Sequence, residues 1–287
     1  MERLVIVGPG RVGLSLGQAL HEADAVRSLI YHGRHPDPPE HALFRGGVAE
    51  YRYGVERPPE GTTAVLLTVP DHSLREMAEL LAARGDTREG TPVLHCSGAL
   101  GAEPLEALHR AGYQVGTLHP LQAVASAETG ARRLAGAAFA VSGEPGALAA
   151  GRRLVQALSG AVLSVPTRLR PLYHAAAVLA SNYLVVLLRE AEGLLRDAGT
   201  SQEEARTALL ALASGTISNA TELGFGEALT GPVVRGDADV LDLHLRTLPE
   251  PVRSLYAQLG LRALEQTDRP LPPDVRGAIR DLLQRNT

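Results

Sequence analysis

The sequence has no lysine, because all 28 of its basic residues are arginine. Without lysine the chain cannot form a Schiff base with a carbonyl substrate, and no amine can act as a general acid or base. Arginine stays protonated near neutral pH and is a poor proton donor. A proton donor is therefore expected first among the ten histidines.

Other scarce features narrow the class of protein. The single cysteine, Cys96, cannot form an internal disulfide, which suits a reducing cytoplasm. The net charge is −4 and no basic stripe is present, so we expect no nucleic-acid partner. The longest apolar stretch, 175–188, contains Ser181 and Asn182 and is too short to span a bilayer. We expect a cytoplasmic protein with no membrane partner, and no signal peptide, because the apolar N-terminal segment becomes a strand.

Neither a metal site nor a serine hydrolase is indicated. His32, His35 and His41 are close in sequence, but prolines and a loop separate them, and no cysteine pair or H-x-x-x-H helix accompanies them. The chain also lacks a G-x-S-x-G nucleophile elbow.

A glycine-rich turn follows the first apolar run, residues 4–7. The turn consists of Gly8, Pro9, Gly10, Arg11, Val12 and Gly13. In a G-x-G-x-x-G turn the first glycine allows the tight bend, the second admits a pyrophosphate, and the third lets the helix pack on its strand. The pyrophosphate then lies at a helix N-terminus, which favours negative charge. The pattern predicts a dinucleotide site; the alternative is a purely structural turn.

The end of the second predicted strand, 26–31, indicates which dinucleotide is bound. An NAD site needs an acidic residue there for the ribose 2′-hydroxyl, but the first one, Asp37, lies between two prolines. Gly33 and Arg34 occupy the place instead, and a guanidinium suits a 2′-phosphate. We expect NADP(H); the alternative is that Arg34 is an ordinary solvated loop residue.

The pattern of the chain changes near Pro166. Strands and helices alternate before it, and only helical periodicity follows from about residue 171. We predict an α/β Rossmann domain, residues 1–166, followed by an all-α domain, residues 167–287. Apolar residues spread widely around a long helix predicted at 172–198, which favours a homodimer through the helical domain. A monomer with a thick helical core is the alternative.

Several phrases along the chain resemble a known family. They are GPGRVG (8–13), TVPDHSL (68–74), HCSGALG (95–101), LHPLQ (118–122), YHAAAVLASNYL (173–184) and ALTGPVVRGD (228–237). Together they resemble Rossmann-like proteins with a C-terminal domain of unknown function. These are often described as NADP oxidoreductases and are related to pyrroline-5-carboxylate reductase, prephenate dehydrogenase and the 6-phosphogluconate-dehydrogenase-like group. The resemblance covers nearly the whole chain and implies an NADP-binding fold and a dimer, without a settled reaction.

Candidate site residues follow three predicted strands. Ligands of open α/β sheets bind outside the carboxyl ends of the strands. Val69 and Pro70 are expected to wall the cofactor, and Ser97 offers a hydroxyl to the nicotinamide carboxamide or the substrate. His119 resembles the His-Pro near the active site of prephenate dehydrogenases. Alternatively, Ser97 is a turn residue that binds its own backbone, and the His119 ring is satisfied by a carbonyl.

The long predicted helix supplies three more candidates. His174 and Ser181 lie two turns apart on one face, and Asn182 is about eighty degrees away. In the related hydroxyacid dehydrogenases this helix bears a catalytic lysine, which is missing here. His174 lies in that neighbourhood, so we expect it or His119 to donate the proton, with Asn182 or Ser97 holding the polarised atom. A buried histidine at the domain seam is the alternative for His174.

A loop in the helical half carries Thr230 and Arg235. The resemblance implies substrate contacts, because pyrroline-5-carboxylate reductases have a Ser-Gly-Pro phrase here that touches the substrate carboxylate. Thr230 and Arg235 could bind a carboxylate in the same way. A plain interhelical turn, with Arg235 paired to Asp237 on the surface, is the alternative.

The expected function is NADP(H)-dependent transfer of hydride to a small, carboxylated carbonyl or imine in an interdomain cleft. A carbonyl and an imine remain open, and reduction of a deazaflavin is a more distant option. The alternative from another class is a non-catalytic NADP-binding sensor or scaffold. An exposed apolar patch would favour that binder, and a polar cleft would favour the enzyme.

Overall fold

An open sheet with helices on both faces forms the first part of the chain. The computed structural model describes residues 1–85 and 90–287, and within them eight strands pair into one sheet. The strands are β1 (Glu2–Val7), β2 (Val26–Gly33), β3 (Ala49–Tyr53), β4 (Ala64–Leu67), β5 (Pro92–His95), β6 (Gln114–Pro120), β7 (Ala138–Gly143) and β8 (Ala161–Leu163).

Helices lie between most of these strands, and the regular elements after β8 are all helical. The first seven are α1 (Arg11–Glu22), α2 (Ala42–Arg45), α3 (Leu74–Ala83), α4 (Glu106–Arg110), α5 (Ala127–Leu134), α6 (Pro145–Ala157) and α7 (Arg170–Ala180). They are followed by α8 (Asn182–Asp197), α9 (Gln202–Ala228), α10 (Pro232–Arg235), α11 (Ala238–Thr247), α12 (Glu250–Gln266) and α13 (Pro273–Gln284).

The strand order is β3-β2-β1-β4-β5-β6-β7-β8, and the pairs are parallel except for antiparallel β6 and β7. β1 therefore lies between β2 and β4, with Val5 beside both Ile30 and Val65. The chain reverses direction across the sheet at this point, and such a switch point leaves a crevice at the carboxyl ends of the strands. This arrangement confirms the predicted α/β Rossmann fold.

The central strands are buried on both faces. Leu4 to Val7 and all four residues of β4 are at most 3% exposed. Continuous apolar strands of this kind are typical of parallel sheets with helices on both sides. One core joins the sheet to α1, α5 and α6, and the other joins it to α3 and α4.

A close contact between α1 and β2 holds the glycine-rich turn. Tyr31 is fully buried, and its hydroxyl donates to the carbonyl oxygen of Gly13 over 3.0 Å. A Cβ at Gly17 would collide with that hydroxyl, so the helix can approach the strand only because residue 17 has no side chain. The contact fixes the height of α1 above the sheet.

Several elements differ from the sequence-based expectations. The short elements α2, β3 and α5 were not predicted. The helix predicted at 172–198 is interrupted at Ser181, whose φ of −120° and ψ of −71° lie outside the helical region, so α7 and α8 are separate.

The chain divides into the compact units Met1–Asn182 and Tyr183–Thr287, whereas the sequence pattern places the domain boundary near Pro166. Helix α7 belongs to the first unit because the guanidinium of Arg170 is buried there and donates to the Ser97 carbonyl.

In the second unit the core lies in the later helices. Val233, Leu241, Ala257, Leu264 and Ile279 are among its buried residues and come from α10 to α13. By contrast α8 has no buried residue, and α9, which is kinked at Gly224 with a φ of +79°, buries only Ala205.

Apolar side chains are correspondingly exposed on α7, α8 and α9. The large ones are Leu172, Leu179, Tyr183, Val185, Val186, Leu187, Leu210, Leu212, Ile217, Leu223 and Phe225. Over the described residues one helical stretch, Thr167–Asp197, is long and apolar enough to cross a membrane by length and composition, and none of its most apolar window is buried. The monomeric thick core considered above is therefore not observed around α8.

Gly17→Ala is expected to destabilise the fold by about 1–3 kcal/mol, because the new methyl group overpacks against the Tyr31 hydroxyl. Tyr31→Phe alone costs roughly 1 kcal/mol through the lost hydrogen bond. The double variant should cost less than the sum, because Phe lacks the colliding oxygen. Urea unfolding of the four proteins measures this coupling, and strictly additive losses would contradict the packing argument.

Candidate active site

The glycine-rich turn has the backbone that its sequence requires. Gly8 has a φ of +103°, and its amide donates to the His32 carbonyl over 2.9 Å. A Cβ on Gly8 would lie 3.0 Å from Val69 Cγ1, and one on Gly13 would collide with the Gly8 carbonyl. Gly10 is different, because nothing lies within 4 Å of the position of its missing Cβ. Open space therefore faces the turn at Gly10.

The N-terminus of α1 presents backbone N–H groups that no side chain caps. Its N-cap, Gly10, is extended and makes no side-chain cap, and no acidic residue occupies the first turn. The Arg11 guanidinium donates to the Ala125 carbonyl over 3.3 Å, and Val12 packs against the core. These two residues can therefore serve an anion through backbone N–H groups, which a helix N-terminus presents without intrahelical partners.

A cavity of about 840 Å³ lies beside this turn, entirely within the first unit. Its lining includes seven of the ten residues predicted to bind the cofactor, namely Gly8, Pro9, Gly10, Gly33, Arg34, Val69 and Pro70. The volume falls in the range of small-molecule and cofactor sites.

The cavity lining also includes an arginine and two tyrosines, Arg34, Tyr51 and Tyr53. Arg34 is exposed, and its Nε donates to His35 Nε2 over 3.3 Å. Among residues 1–85 and 90–287, no carboxylate forms an ion pair with Arg34, although Asp37 also lines the cavity. Tyr51 donates to the His35 carbonyl over 2.5 Å. Tyr51 was not singled out from the sequence, and it holds the loop that carries Arg34.

A second group of polar residues lies at the carboxyl ends of β4, β5 and β6. Ser97 Oγ donates to Asp71 Oδ2 over 2.8 Å and accepts from the Leu100 amide over 3.2 Å. The Leu100 contact matches the turn role considered for Ser97, and its role towards a nicotinamide or a substrate stays a prediction. Asp71 follows Pro70 of the cavity wall directly, so the cavity and this group are adjacent along the chain.

His95 fixes the loop that carries Ser97. Its Nδ1 accepts from the Ser97 amide over 3.1 Å, and Nε2 donates to the Gly101 carbonyl over 2.5 Å. Burial lowers the pKa of His95, and the Arg170 charge lowers it further. A fully buried, neutral histidine with both ring nitrogens satisfied is a structural anchor for residues 95–101.

His119 and His174 converge on Gly98. A Cβ at Gly98 would lie 2.8 Å from His119 Nε2 and 3.0 Å from His174 Cε1. The two imidazole rings are 5.7 Å apart and nearly perpendicular. His174 Nδ1 is buried without a hydrogen-bond partner among the described residues. Both predicted proton donors therefore meet at one point, and only glycine at position 98 leaves room for them.

The other ring nitrogen of His119 is bound to a tyrosine. His119 Nδ1 and Tyr173 Oη are 2.8 Å apart, and the two rings pack edge to face. The sequence analysis did not single out Tyr173, although it stands next to His174 in the YHAAAVLASNYL phrase. The carbonyl partner considered as an alternative for His119 is not observed.

Arg170 lies beneath this group. Its side chain is fully buried, and Nη2 donates to the Ser97 carbonyl over 2.7 Å. Nε and Nη1 have no hydrogen-bond partner within the described parts of the chain. A buried guanidinium that is so sparsely bonded is costly, and nearby negative charge would offset the cost. Sequence reasoning missed Arg170 because its partner is 73 residues away.

Burial has a large effect on His119. Burial is the largest cause, and together with the neighbouring His174 and Arg170 it lowers the pKa of His119 to about 4. His119 is therefore neutral at pH 7, and it can donate a proton only as a neutral N–H group.

The remaining predicted residues lie elsewhere. Ser181 interrupts the helix, and its amide donates to the Ala177 carbonyl. Asn182 is exposed at the start of α8, so the continuous face predicted for His174, Ser181 and Asn182 is not formed. In the second unit Thr230 is exposed, and Arg235 pairs with Asp237 over 2.9 Å, as in the surface alternative.

The fold and turn define a dinucleotide-binding Rossmann domain, followed along the chain by a helical one. Residues 2–120 match the family model of the Rossmann-like domain, and residues 137–263 match DUF2520, a domain of unknown function. The chain thus joins a Rossmann-like domain to a DUF2520 domain, which confirms the resemblance stated from the sequence. The second match begins before α7 and includes β7, α6 and β8.

Solved structures share this fold. The proposed NADP oxidoreductase BF3122 from Bacteroides fragilis has a TM-score of 0.72 at 20% identity, covering 92% of this chain and 98% of its own. Pyrroline carboxylate reductase from Plasmodium falciparum, with NADP bound, has a TM-score of 0.58 at 10% identity, and the match covers 99% of this chain and 97% of the reductase. Reductive aminase from Aspergillus terreus, in complex with NADPH and ethyl-5-oxohexanoate, has a TM-score of 0.57 at 15% identity, and the match covers 99% of this chain and 93% of the aminase. At these identities the likeness concerns the fold. No match was found among curated protein sequences.

The depressed pKa of His119 predicts a loss of stability in acid. Between about pH 6.5 and pH 4 the unfolded chain binds a proton at residue 119 that the native protein does not, so the free energy of unfolding falls as pH falls. Above pH 6.5 this contribution is constant. Urea unfolding at pH 7.5 and 5 should show a smaller loss for His119→Gln than for the unsubstituted protein.

The matched control is His21→Gln, which removes an exposed histidine and should keep the full pH dependence. An NMR titration of His119 with its midpoint near 6.5 would contradict the proposed effect of burial.

Proposed function

We propose that this protein is an NADP(H)-dependent oxidoreductase that reduces a small, carboxylated carbonyl or imine. One observation carries the proposal: the cavity at the glycine-rich turn leads, within one residue of chain, to the polar group of Asp71, Ser97 and His119. A Rossmann site adjoining paired imidazoles is the arrangement that hydride transfer with protonation needs.

The residues present fit the cofactor. Gly10 leaves open space for a pyrophosphate at the N-terminus of α1, and Arg34 offers a 2′-phosphate a guanidinium that forms no ion pair with a carboxylate of the described residues. Val69 and Pro70 wall the cavity towards Asp71. Two of the structural relatives were solved with NADP or NADPH, which supports the choice. The bound cofactor would supply the hydride.

The chain's own groups would bind and protonate the substrate. His119 and His174 present nitrogens to the same point above Gly98, where a carbonyl oxygen or imine nitrogen could accept a hydrogen bond. Ser97 uses its hydroxyl on Asp71 and the Leu100 amide, so it acts by holding Asp71 in place. Asn182, Ser181, Thr230 and Arg235 remain candidates for substrate binding.

The first test is a fluorescence titration with NADPH, NADH and a deazaflavin. We expect NADPH to bind at least tenfold more tightly than NADH, because Arg34 is available for the 2′-phosphate. Arg34→Asp should reverse or abolish that preference, whereas Arg27→Asp, on β2 and outside the cavity lining, should not. Unchanged preference in Arg34→Asp would refute the assignment, and a protein that binds neither nicotinamide would not be an oxidoreductase of this kind.

Turnover is tested with glyoxylate, pyruvate, 2-oxoglutarate and 1-pyrroline-5-carboxylate as oxidants of NADPH. Gly98→Ala should lower the rate roughly 10–100-fold, because the methyl group displaces both imidazoles, with NADPH affinity unchanged. Gly277→Ala is the control, since nothing lies near its added Cβ. A protein that binds NADPH and reduces none of these compounds would favour the sensor or scaffold.

We further propose that a second copy of the chain covers α8 and α9. Helix α9, which is kinked at Gly224, has one buried residue, so its own chain supplies little of the apolar burial that stabilises a helix. Leu212 and Val185, at 68% and 58% exposure, lie among many apolar neighbours on these helices. A symmetric partner offers the same apolar faces in return, which is the usual form of a homodimer interface.

Sedimentation analysis at micromolar concentration should give twice the 30.3 kDa chain mass. Leu212→Glu should shift the protein to monomer, because a charge in an apolar interface is costly. Leu243→Glu, equally exposed but on α11, should leave the dimer intact. A monomer that partitions into phosphatidylglycerol vesicles would overturn the proposal in favour of a membrane partner.

A further inference from the structure

We propose that Tyr173 is a positioning residue for His119 and replaces the proton that His119 gives to the substrate. On this proposal Nε2–H of His119 gives its proton to the substrate, while the Tyr173 hydroxyl gives its own to Nδ1. The assignment deepens the proposed oxidoreductase function and depends on it.

The first support is the 2.8 Å contact between Tyr173 Oη and His119 Nδ1. When the tyrosine hydroxyl donates to Nδ1, the neutral ring carries its proton on Nε2. That nitrogen is the one at Gly98, and it has no hydrogen-bond partner within residues 1–85 and 90–287. The tyrosine thus sets the tautomer that a proton donor facing Gly98 requires.

The second support is the neutral state of His119. Its pKa of about 4 follows first from burial, and the charged and titratable groups around it are His174 and Arg170 from α7, Asp71 after β4 and His95 from β5. The imidazolium is scarce at pH 7. Neutral imidazole is a weak acid unless the other nitrogen gains a proton as the first one is lost. Tyr173 is placed to supply that proton.

The third support is Arg170, which lies one helical turn before Tyr173 on the same face of α7. Burial raises the pKa of Tyr173, and the Arg170 charge opposes this rise. The guanidinium keeps Nε and Nη1 unpartnered within the described residues, so it gains a counter-charge when a tyrosinate forms nearby. Arg170 is a positioning and electrostatic residue in this scheme.

The step balances as follows. A bound NADPH would supply hydride to the carbonyl or imine carbon, and the Nε2–H bond of His119 would break as an O–H or N–H bond forms on the substrate. The Tyr173 O–H bond breaks as Nδ1–H forms, which leaves neutral His119 and a tyrosinate beside Arg170. Water reprotonates the pair after the product leaves. A carbonyl so reduced yields an alcohol, and an imine yields an amine.

The decisive measurement is ¹⁵N NMR of the histidine side chains in the cofactor-free protein, with the His119 signal assigned by its loss in His119→Gln. We expect the Nε2–H tautomer in the unsubstituted protein and a mixture of tautomers in Tyr173→Phe. A dominant Nδ1–H tautomer, or a His119 signal that does not change in Tyr173→Phe, would overturn the relay.

The role of Arg170 is tested by labelling tyrosine at ¹³Cζ and titrating it. The Tyr173 midpoint should rise in Arg170→Met and stay unchanged in Arg168→Met, which removes an exposed arginine two residues away. An unchanged midpoint in a folded Arg170→Met protein would remove the electrostatic part of the proposal. If that variant does not fold, Arg170→Lys keeps the charge and should keep the Tyr173 midpoint near the original.

Kinetics separate this inference from the proposed function. With the best probe from the screen above, Tyr173→Phe should lower kcat roughly 10–100-fold while the NADPH affinity is kept. The dependence of rate on D₂O fraction should be curved in the unsubstituted protein, as for two protons in motion, and linear in Tyr173→Phe. Reduction that is equally fast in both proteins sinks the relay alone. Failure to bind NADPH or reduce any probe sinks the oxidoreductase proposal as well.

Discussion

The hydrogen bond from the buried Arg170 guanidinium to the Ser97 carbonyl determines where the candidate site can exist. It attaches the start of α7 to the loop after β5, and so brings Tyr173 and His174 to the edge of the sheet. The same loop is held from the other side by His95 and by the Ser97–Asp71 bond. Three strand ends and one helix are thereby fixed around Gly98, and each imidazole depends on that frame for its orientation.

The absence of lysine explains why the imidazoles need these contacts to hold them in place. A lysine could bring a proton to the substrate on a flexible, exposed side chain, but an imidazole must be placed. Burial makes His119 neutral, which removes it as a cationic donor and leaves its two nitrogens with distinct roles. The dinucleotide turn needs far less support, because its function rests on backbone N–H groups and the missing side chain at Gly10.

The parts of the site that are local in sequence were predictable. Gly8 to Gly13 form one turn, and the strand-end positions of Ser97 and His119 follow from the alternation of strands and helices. The contacts of Asp71, Tyr173 and Arg170 join residues 26, 54 and 73 positions apart, so no local pattern could reveal them. The break at Ser181 escaped prediction because the apolar periodicity continues through it. The short α5 was missed since three of its four buried residues, Ala127, Gly130 and Ala131, are small.

The exposed surface of α8 and α9 has a thermodynamic consequence. In the proposed dimer these helices, which bury almost nothing in their own chain, would obtain their stability from association, so folding of this region and assembly would form one equilibrium governed by mass action. The free energy of unfolding then has no single value, because it rises with protein concentration. The Rossmann unit is stabilised by its own cores on both faces of the sheet. In the proposed dimer, by contrast, the fraction of chains with ordered α8 and α9 would depend on the protein concentration.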